Sequence, residues 1–171
     1  MNIKYPYFNE DHEGIREMAK DFAEKTLAPI AGEIDKTEAF PMDVVKTMAD
    51  MGFLGLKIPE EYGGLGLDMR SYVCAMEEIA KKCATATIFI SSANSLSTAP
   101  IVISGTPEQK EKYLPGVAAG ESLIAFGLTE PNAGSDAASM TTRAVEDGDS
   151  YILNGRKCFI TMAPIADQCI V

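Results

Sequence analysis

The chain has 171 residues, 46% of them apolar and 23% charged, a balance suited to a globular protein with a substantial core. Its 15 basic and 25 acidic residues give a net charge of −10, which argues against a phosphate-neutralising nucleic-acid surface. No continuous apolar run reaches the roughly 18 to 20 residues of a membrane span, and Met1-Asn2-Ile3-Lys4-Tyr5-Pro6 lacks a charged-then-apolar leader pattern, so a cytoplasmic location is expected.

The first 120 residues carry helical periodicity. Ile15, Met18, Phe22, Leu27, Ile30 and Ile34 recur at helical intervals and predict one long amphipathic helix, kinked or loosened at Pro29. His12, the single histidine, stands among charged residues and is expected on the surface of that helix. One histidine excludes a multi-histidine metal site within the chain and argues against Ser–His or Cys–His catalysis. A second helix starts at Pro41, buries Val44, Val45, Met48 and Met51, and stops at Gly52.

Gly63-Gly64-Leu65-Gly66 follows no clear strand and lacks the later glycine of a dinucleotide fingerprint, so it reads as a chain reversal. Asp68 caps a third helix running through Val73, Met76 and Ile79. Residues 86–104 mix small, apolar and hydroxyl side chains, as in a helix buried on most sides. Thr106-Pro107-Glu108-Gln109 is a capping box with proline at the first helical position, opening a helix to about Val117.

After Gly120 the period shortens. Leu123 to Leu128, Thr141 to Val145, Tyr151 to Leu153, Lys157 to Thr161 and Cys169 to Val171 read as strands. Asp147-Gly148-Asp149 and Asn154-Gly155 supply tight turns, and Ala133 to Ser139 a short helical turn. The fold class is therefore mainly α with a β segment: an N-terminal all-α domain over 1–120, then strands over 121–171. So few short strands make a poor closed sheet, which predicts open edges, exposed apolar surface and either association or a disordered C-terminal portion. Cys74, Cys83, Cys158 and Cys169 form no C-x-x-C pair and read as ordinary thiols, with neither a disulfide framework nor a metal site expected.

The most telling stretch is 126–136, where an apolar run enters a loop of turn formers and small polar residues. Pro131 fixes one backbone angle, Gly134 permits a positive one, and the small side chains leave N–H groups and hydroxyls accessible. Such a loop can surround a flat, polar, anionic ligand with donors, although a plain turn between strands would explain the same composition.

Three motifs resolve that ambiguity by resemblance. Gly127-Leu128-Thr129-Glu130-Pro131-Asn132-Ala133-Gly134-Ser135-Asp136 resembles the signature of the acyl-CoA dehydrogenase family. Tyr151-Ile152-Leu153-Asn154-Gly155-Arg156-Lys157-Cys158-Phe159-Ile160-Thr161 is similar to the family's second stretch, and Pro59-Glu60-Glu61-Tyr62-Gly63-Gly64-Leu65-Gly66 to its upstream loop. The resemblance covers the family's N-terminal helical domain and the first strands of its barrel-like middle β domain. It implies that 121–171 is an incomplete middle domain, that the C-terminal helical bundle is absent, and that the chain is a fragment or truncated product.

What the resemblance implies chemically is FAD-dependent α,β-dehydrogenation of an acyl-CoA thioester, with an electron-transferring flavoprotein as oxidant. Phe126, Leu128, Thr129, Gly134 and Ser135 would line the flavin, and Ser135 would also face its phosphates or the substrate's pantetheine. Phe159, Ile160 and Thr161 would pack on its other side, with Thr161 near the hydride-accepting nitrogen. Hydroxyls and amides at that edge stabilise the negative charge of a reduced ring. Position 159 departs from the family's usual tryptophan; phenylalanine still stacks but loses the indole donor.

The polar stretch Ser91 to Thr98 would border the acyl pocket, with Ala93 where relatives often carry a polar residue. The catalytic base is usually a glutamate of the C-terminal bundle. Glu130 is not that residue and reads as a turn or β-domain contact, so no catalytic residue is assigned and the fragment is expected to be inactive. Full-length members are commonly homotetramers, and a homo-oligomer is expected here. An acyl-CoA oxidase, a flavin monooxygenase relative and a non-catalytic module are the alternatives.

Overall fold

The computed structural model describes residues 7–171; the leader reading on Met1 to Pro6 lies outside the described residues. Helix α1, Glu10–Phe22, opens with an Asn9 capping box and runs into a π-helical turn, Ala23–Leu27. A separate helix α2 follows at Ala31–Thr37. The single kinked helix expected here is thus two helices. Pro29 has no N–H to return and crowds the carbonyl four residues back, so the chain widens before it: Ala28 N–H bonds Ala23 O at 2.8 Å, five residues away.

Helix α3, Met42–Asp50, buries Val44, Val45, Met48 and Ala49 but leaves Met51 half-buried, and Gly52 ends the turn at φ 81°. Residues 53–58 then drive Phe53, Leu54, Leu56 and Ile58 fully into the core. The glycine loop doubles back on this segment. Leu65 N–H bonds Gly55 O at 2.8 Å, Gly66 N–H bonds Ile58 O at 2.9 Å, and Leu67 N–H bonds Leu56 O at 2.7 Å. Gly64 lies so close that an added Cβ would sit 2.1 Å from Ile58 O, a backbone clash no other residue avoids.

Helix α4, Met69–Ala80, is capped by Asp68, whose carboxylate accepts from Ser71 N–H at 2.9 Å; Val73 faces solvent. It packs along α1. Arg16 spans the pair to Glu77 at 2.6 Å and Glu78 at 3.3 Å. His12, expected on the surface, is instead 5% exposed. Its Nδ1 accepts from Asn9 N–H at 3.0 Å and its Nε2 meets the Asp68 carboxylate at 3.1 Å, so one imidazole joins the caps of α1 and α4. The charged neighbours in sequence point elsewhere; packing across 56 residues buries the ring.

Helix α5, Ala84–Ser91, a π-helical turn, Ser92–Leu96, and helix α6, Thr98–Ser104, replace the uninterrupted helix expected over 86–104. Side chains take the carbonyls that an α-helix would use. Asn94 Nδ2 donates to Ile90 O at 2.9 Å, Ser95 Oγ to Ser91 O at 2.9 Å, and Thr98 Oγ1 to Ala93 O at 2.6 Å. Against the expectation of no spanning segment, Ala84–Ser104 is long and apolar enough by length and composition to cross a membrane. Its Ser92, Asn94, Ser97 and Thr98 are buried and bonded within the protein, as in a core helix. Helix α7, Pro107–Ala118, has the expected Thr106–Gln109 capping box.

Strand β1, Ile124–Phe126, lies beside the helices and pairs in parallel with β4, Gln168–Ile170, Ala125 facing Cys169. Strands β2, Arg143–Asp147, and β3, Ser150–Asn154, form an antiparallel hairpin with Gly148 at φ 61° in the turn. Asn154-Gly155 makes no tight turn, and Lys157 to Thr161 is not a strand. Phe159 and Met162 adopt left-handed backbone, at φ 58° and 63°, which breaks any two-residue alternation. Every residue of the hairpin is exposed, including Val145, Tyr151, Ile152 and Leu153.

Two outcomes test this packing. Phe53, fully buried against Phe22 at a ring distance of 5.4 Å, should cost about 3–5 kcal/mol in urea unfolding as Phe53→Ala. The Ser71 amide and the His12 ring hold the Asp68 carboxyl down to about 2. A depressed carboxyl stabilises the fold above its unfolded value of about 3.9 and loses that contribution as pH falls through the folded value. The urea-midpoint gap between the parent chain and Asp68→Asn should therefore be constant near neutrality and close between about pH 4 and pH 2.

Candidate functional site

A cleft of about 200 Å³ opens where the second π-helical turn meets the β segment. Ser92 and Leu96 form its helical wall, Phe126, Leu128 and Thr129 a second wall, and Phe159, Ile160 and Thr161 a third. Six of the eight residues that the motifs nominate thus share one cavity. Gly134 and Ser135 do not line it: both are exposed, beyond a short bridge between Glu130 and Ala133. Gly134 has no positive φ, and a Cβ there would meet nothing.

The helical wall is held by buried polar groups. Ser92 Oγ and Ser97 Oγ lie 2.8 Å apart, and both reach the Ile124 carbonyl, which pins β1 against the helix. Asn94 donates to Phe53 O at 2.8 Å and accepts from Lys57 N–H at 2.8 Å, fixing the same turn to the 53–58 segment. Ser92 and Leu96 had no motif to nominate them; only the hydroxyl-rich composition of 91–98 pointed their way.

The other two walls meet edge to edge. Cys158 N–H donates to Thr129 O at 2.9 Å, while Gly127 N–H donates to Ile170 O of β4 at 2.7 Å and so extends the β1–β4 pairing behind the second wall. Among the described residues, the N–H groups of Thr129, Ile160 and Thr161 donate to no protein acceptor, and the two threonine hydroxyls have no partner. Phe159 is 92% exposed at the mouth in a left-handed conformation that costs of order 1–3 kcal/mol. The motif nominated position 159, but no local pattern in the sequence signalled that its bulky side chain would be carried on left-handed backbone at a cavity rim.

Glu130 lies beside the cleft without entering it and is 5% exposed. Its carboxylate accepts from Thr141 N–H at 2.7 Å, Thr141 Oγ1 at 2.9 Å, Thr142 N–H at 2.9 Å and Lys157 Nζ at 3.0 Å. Hydrogen bonds from Thr142 and Thr141, then the Lys157 ammonium, hold the carboxyl well below the usual range. Within Thr142 the amide makes the bond; its hydroxyl is buried without a partner. A carboxylate so saturated has no free lone pair for a substrate proton, so its role is to tie the chain together.

Among the described residues no three or more His, Cys, Asp or Glu side chains gather to hold a metal ion, and the four cysteines are unpaired. The donor set fits a flavin instead. Phe126, Leu128 and Ile160 offer apolar area for a ring face, and uncommitted amides and hydroxyls at Thr129 and Thr161 suit its acceptor-rich edge.

Residues 9–121 match the acyl-CoA dehydrogenase N-terminal domain and residues 125–171 the acyl-CoA dehydrogenase middle domain. The chain belongs to the acyl-CoA dehydrogenase family. It is 56% identical over 165 residues to a 3-(aryl)acrylate reductase of Clostridium sporogenes, covering 96% of this chain and 44% of that protein. It is 49% identical over 166 residues to the caffeyl-CoA reductase-Etf complex subunit CarC of Acetobacterium woodii, covering 96% and 44%. The structure of a glutaryl-CoA dehydrogenase from Mycobacterium smegmatis in complex with FADH2 superposes with a TM-score of 0.91 at 35% identity, over 96% of this chain and 42% of that one. The chain thus spans 44% of the length of these two curated relatives.

Gly155 packs so tightly that a Cβ would stand 2.2 Å from Thr142 Oγ1. Gly155→Ala should therefore push Thr142 off Glu130, with faster amide exchange at Thr141 and Thr142 and no loss of helical circular dichroism. Unchanged exchange there would contradict the assigned packing.

Proposed function

We propose that this chain forms the flavin-facing portion of an FAD-dependent acyl-CoA dehydrogenase. The observation that carries the reading is the convergence of Phe126, Leu128 and Thr129 with Phe159, Ile160 and Thr161 around a cleft rimmed by uncommitted donors. The chemistry FAD supplies there when bound is acceptance of a hydride from the β-carbon of an acyl thioester. This chain's residues would hold the ring: apolar side chains against its face, Thr129 and Thr161 at its polar edge. Ser92 and Leu96 would bound the substrate side of the same space. Removal of the α-proton falls to a base outside the cleft described here, since Glu130 is committed to four hydrogen bonds. Gly134 and Ser135, outside the cleft, would serve the phosphate or pantetheine end of a longer ligand.

A second reading has a specific observation in its favour. Two of the curated relatives are named as reductases, one of an arylacrylate and one of caffeyl-CoA. The same carbon–carbon bond chemistry run toward saturation would use the same cleft, with direction set by the potential of the electron partner. An electron-transferring flavoprotein is the partner we propose, supported by the relative that is a subunit of an Etf complex. Self-association is proposed on the exposed apolar residues of the β2–β3 hairpin.

Titration with FAD tests the core of this reading. The purified chain should quench flavin fluorescence saturably, and absence of saturable binding would overturn it. Because Phe159 is 92% exposed, Phe159→Ala should change folding stability by less than about 0.5 kcal/mol while weakening FAD binding roughly threefold to tenfold.

A further inference from the structure

Neither Glu130 nor Lys157 lines the cleft, yet each adjoins a wall of it: Glu130 follows Thr129, and Lys157 lies two residues before Phe159. Lys157 reaches from the third wall to grip the second at two points. Its Nζ donates to Leu128 O at 3.0 Å and to Glu130 Oε1 at 3.0 Å, with Met140 Sδ at 3.3 Å filling its third direction. All three ammonium donors are thereby used, and the pair is largely buried, with side-chain exposures of 14% and 3%. On the acid side, Oε1 also takes Thr142 N–H and Oε2 takes both donors of Thr141.

Resting on the flavin reading of the cleft, we propose that Lys157 and Glu130 are positioning residues, a buried ion pair that fixes the spacing between the Phe126–Thr129 and Phe159–Thr161 walls for a flat ring. Among the described residues, the only backbone bond joining these walls directly is Cys158 N–H to Thr129 O, directly beside the pair. A single such bond does not hold a rim whose Phe159 and Met162 both sit in left-handed backbone; strained residues persist only where their surroundings over-determine them. The ammonium and carboxylate supply that over-determination, because breaking one partner strands the other in a largely buried site. The pair touches the lining through the Leu128 carbonyl and the adjoining peptides, so its effect on a ligand is exerted through geometry.

The test uses the full chain with Lys157→Met, which keeps length and removes charge, and Lys157→Arg, which keeps charge. Lys157→Met should weaken FAD binding by about tenfold or more and speed exchange of the Cys158 amide, while helical circular dichroism persists. Lys157→Arg should restore affinity to within about threefold, a rescue that simple loss of packing would not give. If Lys157→Met binds FAD as tightly as the parent, with Cys158 equally protected, the proposal is overturned. If the parent itself binds no FAD, the flavin reading fails on its own, and the clamp is decided by Cys158 exchange alone. Faster exchange in Lys157→Met but not in Lys157→Arg upholds the clamp; equal exchange in all three ends it. Should Lys157→Met not fold, Thr141→Val, which removes one hydroxyl bond to Glu130, gives the same two readouts at smaller amplitude.

Discussion

The Ile124 carbonyl is the point on which the architecture turns. Buried Ser92 and Ser97 both donate to it, so the first strand of the β segment is fastened to an irregular turn in the helical layer. With β1 fixed, its parallel partner β4 and the chain that leaves it at Gly127 have defined places. A cavity then exists between the helix and the loops on either side. Were Ile124 O left unpaired in that buried seam, the desolvation cost would oppose docking, and the cleft would lose one wall.

Buried polar groups recur at each place where elements must meet in one register. Asn94 ties the π-helical turn to the 53–58 segment, His12 ties the cap of α1 to the cap of α4, and Glu130 ties the signature loop to the start of β2. Apolar contacts among Phe53, Leu54, Leu56 and Ile58 supply burial without direction. Hydrogen bonds in low dielectric supply the direction, since a misplaced partner leaves an unsatisfied group. In each case a side chain takes the place of a backbone ladder, at a helix end, a π-helical turn or a loop.

The β segment behaves differently from the helical layer. β1 is buried, whereas every residue of β2 and β3 is exposed, with large apolar side chains on both faces of the hairpin. Its position is set by Glu130 and by the close approach of Gly155 to Thr142, not by a hydrophobic face. The rim of the cleft therefore depends on polar ties and backbone shape more than on core volume.

Capping chemistry and hydrophobic spacing alone determined α3, α4, α7 and the β2–β3 hairpin, because the Asp68 cap, the Thr106–Gln109 box and the Gly148 turn are local interactions written within four residues. The same was true of six cleft residues, five of which lie in two short motifs and the sixth, Phe126, directly before one of them, where resemblance to a family needs no folding to be read. Only the tertiary structure decided that His12 is buried, that both long helices widen into π turns, and that Lys157 to Thr161 is a strained loop. It alone set Gly134 and Ser135 apart from the cleft and brought Ser92 and Leu96 into it. The reason is distance along the chain: His12 meets Asp68 across 56 residues and Lys157 meets Glu130 across 27, and no local pattern encodes a partner that far away.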